Sequence, residues 1–201
     1  VDPLHPSLSN KKLILQQDGS SGYSNHLNGV KEPHATGVAC IYTSNHEKYK
    51  GMAYGASTII SGLAGEETAD PASIMRTMGS LDWMLSRTEQ KPTIINYSMG
   101  NGRLDLNCPA CPEWSGLAKV IDYVVNTQKI LWVKSAGNAG YIEPAHQYTF
   151  ASTLTVPGDN YNGLTIANMN TVITENESVV VKTADRSKHI IKQTSSRGPT
   201  Q

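Results

Sequence analysis

Residues 115–138 of the chain read SGLAKVIDYVVNTQKILWVKSAGN, and this stretch decides the fold. Ser115 is a typical residue to precede a helix, because its hydroxyl can accept a hydrogen bond from a backbone N–H of the first turn. Apolar residues follow at helical spacing: Leu117, Val120 or Ile121, and Val124. The run 130–133 then predicts a buried strand, and the run 93–97 predicts a strand before the helix. Strand, helix and strand in this order predict a parallel β-α-β unit.

The same alternation precedes this unit. Short apolar runs predict strands over 12–16 and 57–61, and residues 34–42 predict a helix. Asp70 followed by proline is typical of a helix start, since it puts an N-cap oxygen before a proline at the first helical position. The apolar residues that we expect on the buried face of this helix are Ile74, Met78, Leu81 and Leu85.

The last fifty residues have a different pattern. Short strands, broken by Asn and Gly, are predicted over 164–167, 171–173 and 179–181. The sequence contains no internal repeat and no sign of a second domain. We therefore expect a single α/β domain over residues 1–201, with a mainly parallel sheet covered by helices on both faces.

The composition excludes several classes of function. Seventeen basic and seventeen acidic residues cancel, so no basic face for nucleic acid is expected. No apolar run approaches the roughly 20 residues that span a bilayer. No cofactor is required by these patterns. Structural calcium is left open, although no Asp-rich loop of the kind that binds it indicates a site.

Three cysteines occur, at positions 40, 108 and 111. Cys108 and Cys111 lie in a C-x-x-C between prolines, which is compatible with a disulfide, with two free thiols or with half of a zinc site. Cys40 lies in an apolar run and is expected to be a buried small residue.

Two polar segments come directly after predicted strands. Ser98, Met99 and Gly100 follow one strand, and Ser135-Ala136-Gly137-Asn138 follows the next. Ligands of open parallel sheets bind at the carboxyl ends of the strands. Both segments are therefore candidates for a binding site. Ser98 does not form a nucleophile elbow, because that motif requires a glycine where Asn96 stands.

His34 stands at the predicted start of a helix in Pro-His-Ala-Thr-Gly-Val-Ala, residues 33–39. With Ser-Ala-Gly-Asn at 135–138 and Ser-Ser-Arg-Gly-Pro at 195–199, in this order and spacing, it resembles the subtilisin-like serine proteases, the subtilases. The usual histidine motif of that family is His-Gly-Thr-(His or Gly)-Val-Ala-Gly. Here Ala35 replaces the first glycine and Cys40 the last, and neither change removes a catalytic group.

The resemblance implies roles for particular residues. His34 would be the triad histidine, which acts as general base, and Asn138 would donate its side-chain amide to the oxyanion. Residues 98–100 look like the family's Ser-Leu-Gly segment, whose backbone pairs with an extended substrate. Ser135, Ala136 and Gly137 would form the opposite wall of the pocket. The fold implied is the three-layer subtilisin fold.

Two members of the triad have no convincing candidate in the chain. Val1-Asp2-Pro3-Leu4-His5-Pro6 resembles the stretch just after the family's aspartate motif, so we expect that aspartate before residue 1. Asp18 is a competitor, although its surroundings fit the motif poorly. The serine motif Gly-Thr-Ser-Met-Ala is absent, and Ser195 and Ser196 lie in a segment found upstream of it. We expect a central piece of a catalytic domain, inactive by itself.

For the parent protein, the resemblance implies a serine endopeptidase with peptide or protein substrates, secreted or in the cell envelope. An alternative from another class is a non-catalytic subtilase-like module that binds peptides beside Ser98. An unrelated α/β hydrolase is disfavoured by the absence of a Gly-x-Ser-x-Gly elbow. The sequence does not indicate an oligomeric state.

Overall fold

The structure is a computed structural model of the 201-residue chain. It describes residues 1–16, 33–64, 71–100, 115–140, 153–170, 172–175, 178–182, 190–192 and 194–196. The chain forms two compact units. The first comprises Val1–Glu66 and Pro71–Pro92, and the second comprises Glu67–Asp70 and Thr93–Gln201.

The first unit contains a parallel strand pair and its helices. Its elements are a 3₁₀ helix (Pro6–Leu8), β1 (Lys12–Leu15), α1 (Pro33–Thr43), β2 (Thr58–Ser61) and α2 (Pro71–Leu85). Strand β1 pairs in parallel with β2, so that Lys12 lies opposite Thr58 and Leu15 opposite Ser61. Strands β1 and β2 and helices α1 and α2 were predicted from the sequence, with small differences at the ends, whereas the 3₁₀ helix was not.

Helix α1 is held on the first unit by a small apolar cluster. Val1, Leu8 and Ala39 are buried there, and five partly buried residues pack around them: Leu13, Leu15, Ala35, Cys40 and Ile59. The backbone N–H of Asp2 also donates to Thr36 Oγ1 at 2.8 Å. The N-terminal segment and the first turns of α1 are thereby joined.

The buried face of α2 agrees with the predicted one at Leu81 but not at Met78. Its buried residues are Ser73, Thr77, Ser80 and Leu81, whereas Met78 is 37% exposed. The physical reason is a close approach of backbone at Gly62, where an added Cβ would lie 3.1 Å from Ser80 Cβ. Small polar residues fit such an approach, and Ser80 Oγ lies 2.7 Å from Gln16 Oε1.

The second unit contains a three-stranded parallel sheet in the order β3-β4-β5. Its elements are β3 (Ile94–Tyr97), α3 (Gly116–Gln128), β4 (Leu131–Ser135), β5 (Leu164–Ile166), β6 (Met169–Asn170), β7 (Val172–Glu175), β8 (Ser178–Lys182) and β9 (Ile190–Ile191). Tyr97 lies opposite Lys134, and Ser135 lies opposite Ile166. Strand β6 pairs antiparallel with β9, and β7 with β8. The predicted parallel β-α-β unit is confirmed.

Helix α3 begins as its sequence predicts. Ser115 is the N-cap, and its hydroxyl accepts from the N–H of Ala118 at 3.1 Å. Leu117 and Ile121 are buried on its inner face. The helix ends at Gln128, where Lys129 takes a left-handed conformation.

Strand β4 is the central strand of its sheet, and its buried positions are not all apolar. Trp132 and Lys134 are fully buried, whereas Leu131 is 38% exposed. The Trp132 ring packs against Tyr97 of β3, with centroids 5.3 Å apart. The predicted run of buried residues is therefore an alternating strand, one buried position of which is a lysine.

Among the described helices, none is both long enough and apolar enough to cross a membrane.

Candidate active site

The two predicted binding segments lie at neighbouring strand ends in the second unit. Ser98, Met99 and Gly100 follow β3, and all three are partly buried. Ser135 ends β4, and Ala136 and Gly137 come next. Because β3 and β4 are parallel and paired up to Tyr97 and Lys134, the two segments leave the same edge of the sheet.

Thr155 packs against a glycine of each segment. A Cβ added to Gly100 would lie 2.6 Å from Thr155 Oγ1, and one added to Gly137 would lie 2.9 Å from the same atom. Gly137 also has φ +110°, which only glycine adopts readily. The two segments therefore need glycine at these positions, because Thr155 occupies the adjoining space.

The carbonyl groups of the second segment are bonded within the protein. Lys134 Nζ donates to the Ser135 carbonyl and, at 3.0 Å, to Thr155 Oγ1. The Ala136 carbonyl accepts from the backbone N–H of Thr155 at 3.2 Å, and the Gly137 carbonyl from that of Ser196 at 3.0 Å. These bonds hold the segment as a rigid wall.

Asn138 follows this wall and is exposed. It lies just past the carboxyl end of β4, and both of its neighbours in the chain are bonded to Ser196. An exposed amide on a fixed backbone can donate a hydrogen bond to a ligand without first rearranging.

His34 belongs to the first unit. It is the second residue of α1, and its side chain is exposed. Thr36 and Ala39 of the same helix point inward, toward the N-terminal segment and the apolar cluster. The helix is thus anchored by its inner residues, while the predicted base stands at its exposed start.

Cys40 of α1 and His5 of the N-terminal segment make a polar pair. Cys40 Sγ lies 3.5 Å from His5 Nδ1, which also accepts from the N–H of Ser7 at 3.3 Å. Burial raises the pKa of the Cys40 thiol. Cys40 is therefore a partly buried thiol, in agreement with its position in an apolar run.

Ser195 and Ser196 are each 1% exposed. Ser195 Oγ accepts from the N–H of Asn168 at 2.9 Å, and Ser196 Oγ accepts from that of Ala139 at 3.0 Å. Both hydroxyls serve the backbone, which agrees with their exclusion as nucleophiles. Four other residues considered above lie outside the described part of the chain: Asp18, the predicted N-cap Asp70, Cys108 and Cys111.

Three features of the site were not predicted from the sequence: Thr155, Lys134 and the hydrogen bonds from Ser196 to the chain neighbours of Asn138. Only Lys134 carried a local signal, as a charged residue in a strand that was predicted to be buried. Within the described residues, no group of three or more His, Cys, Asp or Glu side chains is placed to hold a metal ion.

The parallel sheet, its helical crossover and the polar segments at the strand ends define a parallel α/β protein with a candidate site at the carboxyl edge. The model of the subtilase family of peptidases matches residues 1–201, and the chain belongs to this family. The fold is the subtilisin-like α/β fold.

Several solved structures are similar to the chain. The prenylagaramide maturation protease PagA superposes with a TM-score of 0.56 at 20% sequence identity, over 90% of this chain and 54% of PagA. The self-cleaved protease domain of PatA superposes with a TM-score of 0.53 at 18% identity, over 90% of this chain and 57% of that domain. The chain thus spans little more than half the length of either structure. No curated protein gave a significant match.

Proposed function

We propose that the chain is the central part of the catalytic domain of a serine endopeptidase, with His34 as general base and Asn138 as oxyanion donor. The observation that carries the proposal is the exposed Asn138 at the end of β4, in a chain that matches the subtilase family over its whole length. The proposal places the triad aspartate and serine outside these 201 residues. It also places the enzyme outside the cell or in the cell envelope.

Each group has a defined part in the reaction. His34 would take the proton of the serine hydroxyl as its oxygen attacks the scissile carbonyl, and would then give that proton to the leaving amine. The aspartate would hold the imidazole in the required tautomer. Asn138 would donate a hydrogen bond to the oxygen that becomes negative in the tetrahedral intermediate.

The substrate would bind as an extended strand beside residues 98–100. The carbonyls of Ser135, Ala136 and Gly137 are already bonded within the protein, so this segment serves as a wall. The backbone groups that pair with a peptide would then come from the segment after β3.

A serine-directed fluorophosphonate tests where the nucleophile lies. We expect stoichiometric labelling of the full-length protein and none of the 201-residue chain. Labelling of the short chain would show that it contains the nucleophile and would refute this assignment.

Substitution of His34 tests the base. In the full-length protein, we expect His34→Ala to abolish hydrolysis of a peptide substrate, while His46→Ala, an exposed histidine of the same unit, leaves it unchanged. Retained activity of His34→Ala would contradict the role. A full-length protein that binds peptides but cleaves none would instead favour the non-catalytic module.

A further inference from the structure

We propose that Ser196 is a positioning residue for Asn138. Together with Lys134 and Thr155, Ser196 forms a set of buried hydrogen bonds, called the frame below, that orients the side-chain amide of Asn138. This inference rests on the function proposed above, because it takes Asn138 as the oxyanion donor. It gives a role to the Ser-Ser pair at 195–196, which that function leaves unused.

Ser196 bonds to the residues on both sides of Asn138. Its backbone N–H donates to the Gly137 carbonyl at 3.0 Å, and its Oγ accepts from the N–H of Ala139, also at 3.0 Å. One residue therefore fixes the carbonyl before Asn138 and the amide after it. Two bonds of this kind restrict the backbone rotations that would swing the side chain of Asn138.

The burial of the two residues suits such a role. Ser196 is 1% exposed, whereas Asn138 is exposed. Hydrogen bonds shielded from water are stronger and more rigid than those at the surface. An oxyanion donor is effective when it is already in place before charge develops, since no rearrangement is then needed.

The other side of the frame is built by Lys134 and Thr155. A lysine ammonium only donates, so the Thr155 hydroxyl accepts from Lys134 at 3.0 Å and gives its own hydrogen to the Ala136 carbonyl at 3.3 Å. Lys134 is completely buried and also donates to the Ser135 carbonyl. The backbone that leads into Asn138 is thereby held two residues upstream.

Ser195 is a buried serine next to Ser196 whose hydroxyl does not bond a chain neighbour of Asn138. It has the same burial and the same type of bond, an Oγ that accepts from a backbone N–H at 2.9 Å, but its partner is Asn168. Asn168 is not a chain neighbour of Asn138. The Ser195 hydroxyl also donates to the Ser196 carbonyl at the long distance of 3.5 Å, and this bond reaches neither Gly137 nor Ala139. Ser195→Ala is therefore a matched control for Ser196→Ala, with equal loss of a buried hydroxyl.

The experiment is a double-mutant cycle in the full-length protein, with kcat and KM measured on a peptide substrate. We expect Ser196→Ala to lower kcat about tenfold with KM changed less than about twofold, since an interaction made only in the transition state is weakened. Ser195→Ala should leave both constants unchanged. The double variant Ser196→Ala/Asn138→Ala should be no slower than Asn138→Ala alone, because the frame acts through that amide.

Several outcomes overturn the proposal. These are an unchanged kcat in Ser196→Ala, an equal loss in Ser195→Ala, or additive losses in the double variant. If Ser196→Ala does not fold, Thr155→Val decides, because it replaces only the hydroxyl that donates to the Ala136 carbonyl and accepts from Lys134. It should lower kcat non-additively with Asn138→Ala, while Thr155→Ser should retain the wild-type value.

A readout without catalysis separates this inference from the proposed function. Hydrogen exchange of the Ala139 amide should accelerate at least about tenfold in Ser196→Ala and not in Ser195→Ala, since only the first loses the acceptor. An inactive wild-type protein would refute the proposed function. An unchanged Ala139 exchange rate in Ser196→Ala would refute the frame, whether or not the protein is an active enzyme.

Discussion

Thr155 lies directly against Gly137, so that a Cβ added to Gly137 would stand 2.9 Å from both Oγ1 and Cγ2 of Thr155. The same threonine donates its backbone N–H to the carbonyl of Ala136, at 3.2 Å. Backbone and side chain of Thr155 thus shape the segment that leads to Asn138. Tight contact there leaves space for glycine alone.

Gly137→Ala should destabilise the protein by about 3 kcal/mol, because it combines a φ of +110° with an overlap on Thr155. Urea unfolding of the full-length protein measures the loss. Gly116→Ala is the control, since nothing lies within 4 Å of its added Cβ. The double variant Gly137→Ala/Thr155→Ala should lose less unfolding free energy than the two single variants together, because Thr155→Ala removes the overlap. Strictly additive losses would contradict the contact.

In the first unit, Gly51 and Gly37 should differ in how much stability a substitution by alanine removes. An added Cβ at Gly51 would lie 2.5 Å from the backbone of Tyr42 and Thr43, whereas Gly37 in α1 has open space around it. Gly51→Ala should therefore cost at least about 3 kcal/mol of unfolding free energy, since backbone cannot move aside cheaply. Gly37→Ala should stabilise α1 by up to about 1 kcal/mol. Equal effects in urea unfolding would refute this contrast.

Asp122 ties α3 to the loop before β5. Its carboxylate is buried and accepts from the backbone N–H groups of Tyr161 at 2.8 Å and Asn162 at 2.6 Å. Asp122→Ala should lower the unfolding free energy by about 2–4 kcal/mol, because two backbone N–H donors lose a charged acceptor. Asp122→Asn keeps one acceptor oxygen and should lower the unfolding free energy by about half as much as Asp122→Ala. Asp82→Ala, at an exposed position of α2, should change stability by less than about 0.5 kcal/mol.

Cys40 should react slowly with iodoacetamide near pH 8. Burial raises its thiol pKa, so at a given pH less of the reactive thiolate is present than in a free cysteine. Peptide mapping by mass spectrometry after timed alkylation measures Cys40 separately from the other cysteines. The rate should rise at least about fivefold in denaturant, where the burial is lost. Equal rates in the folded and denatured protein would show that burial does not protect this thiol.

Much of the fold could be predicted, because the signals for it are local. The cap at Ser115 and the apolar face of α3 are contained in a few consecutive residues, and the structure confirms both. The face of α2 was predicted correctly at Leu81 and wrongly at Met78, because periodicity is also a local signal. Periodicity selects the apolar residue Met78, whereas the close approach of backbone at Gly62 selects small side chains such as Ser80.

The sequence by itself determined the order of strands and helices, the family and the positions of His34 and Asn138, since caps, periodicity and short motifs are written in neighbouring residues. Tertiary structure alone decided what surrounds Asn138. Ser196 reaches Ala139 across 57 positions of the chain, and Lys134 reaches Thr155 across 21. No local pattern encodes such pairs, because their geometry exists only after the strands and loops have packed.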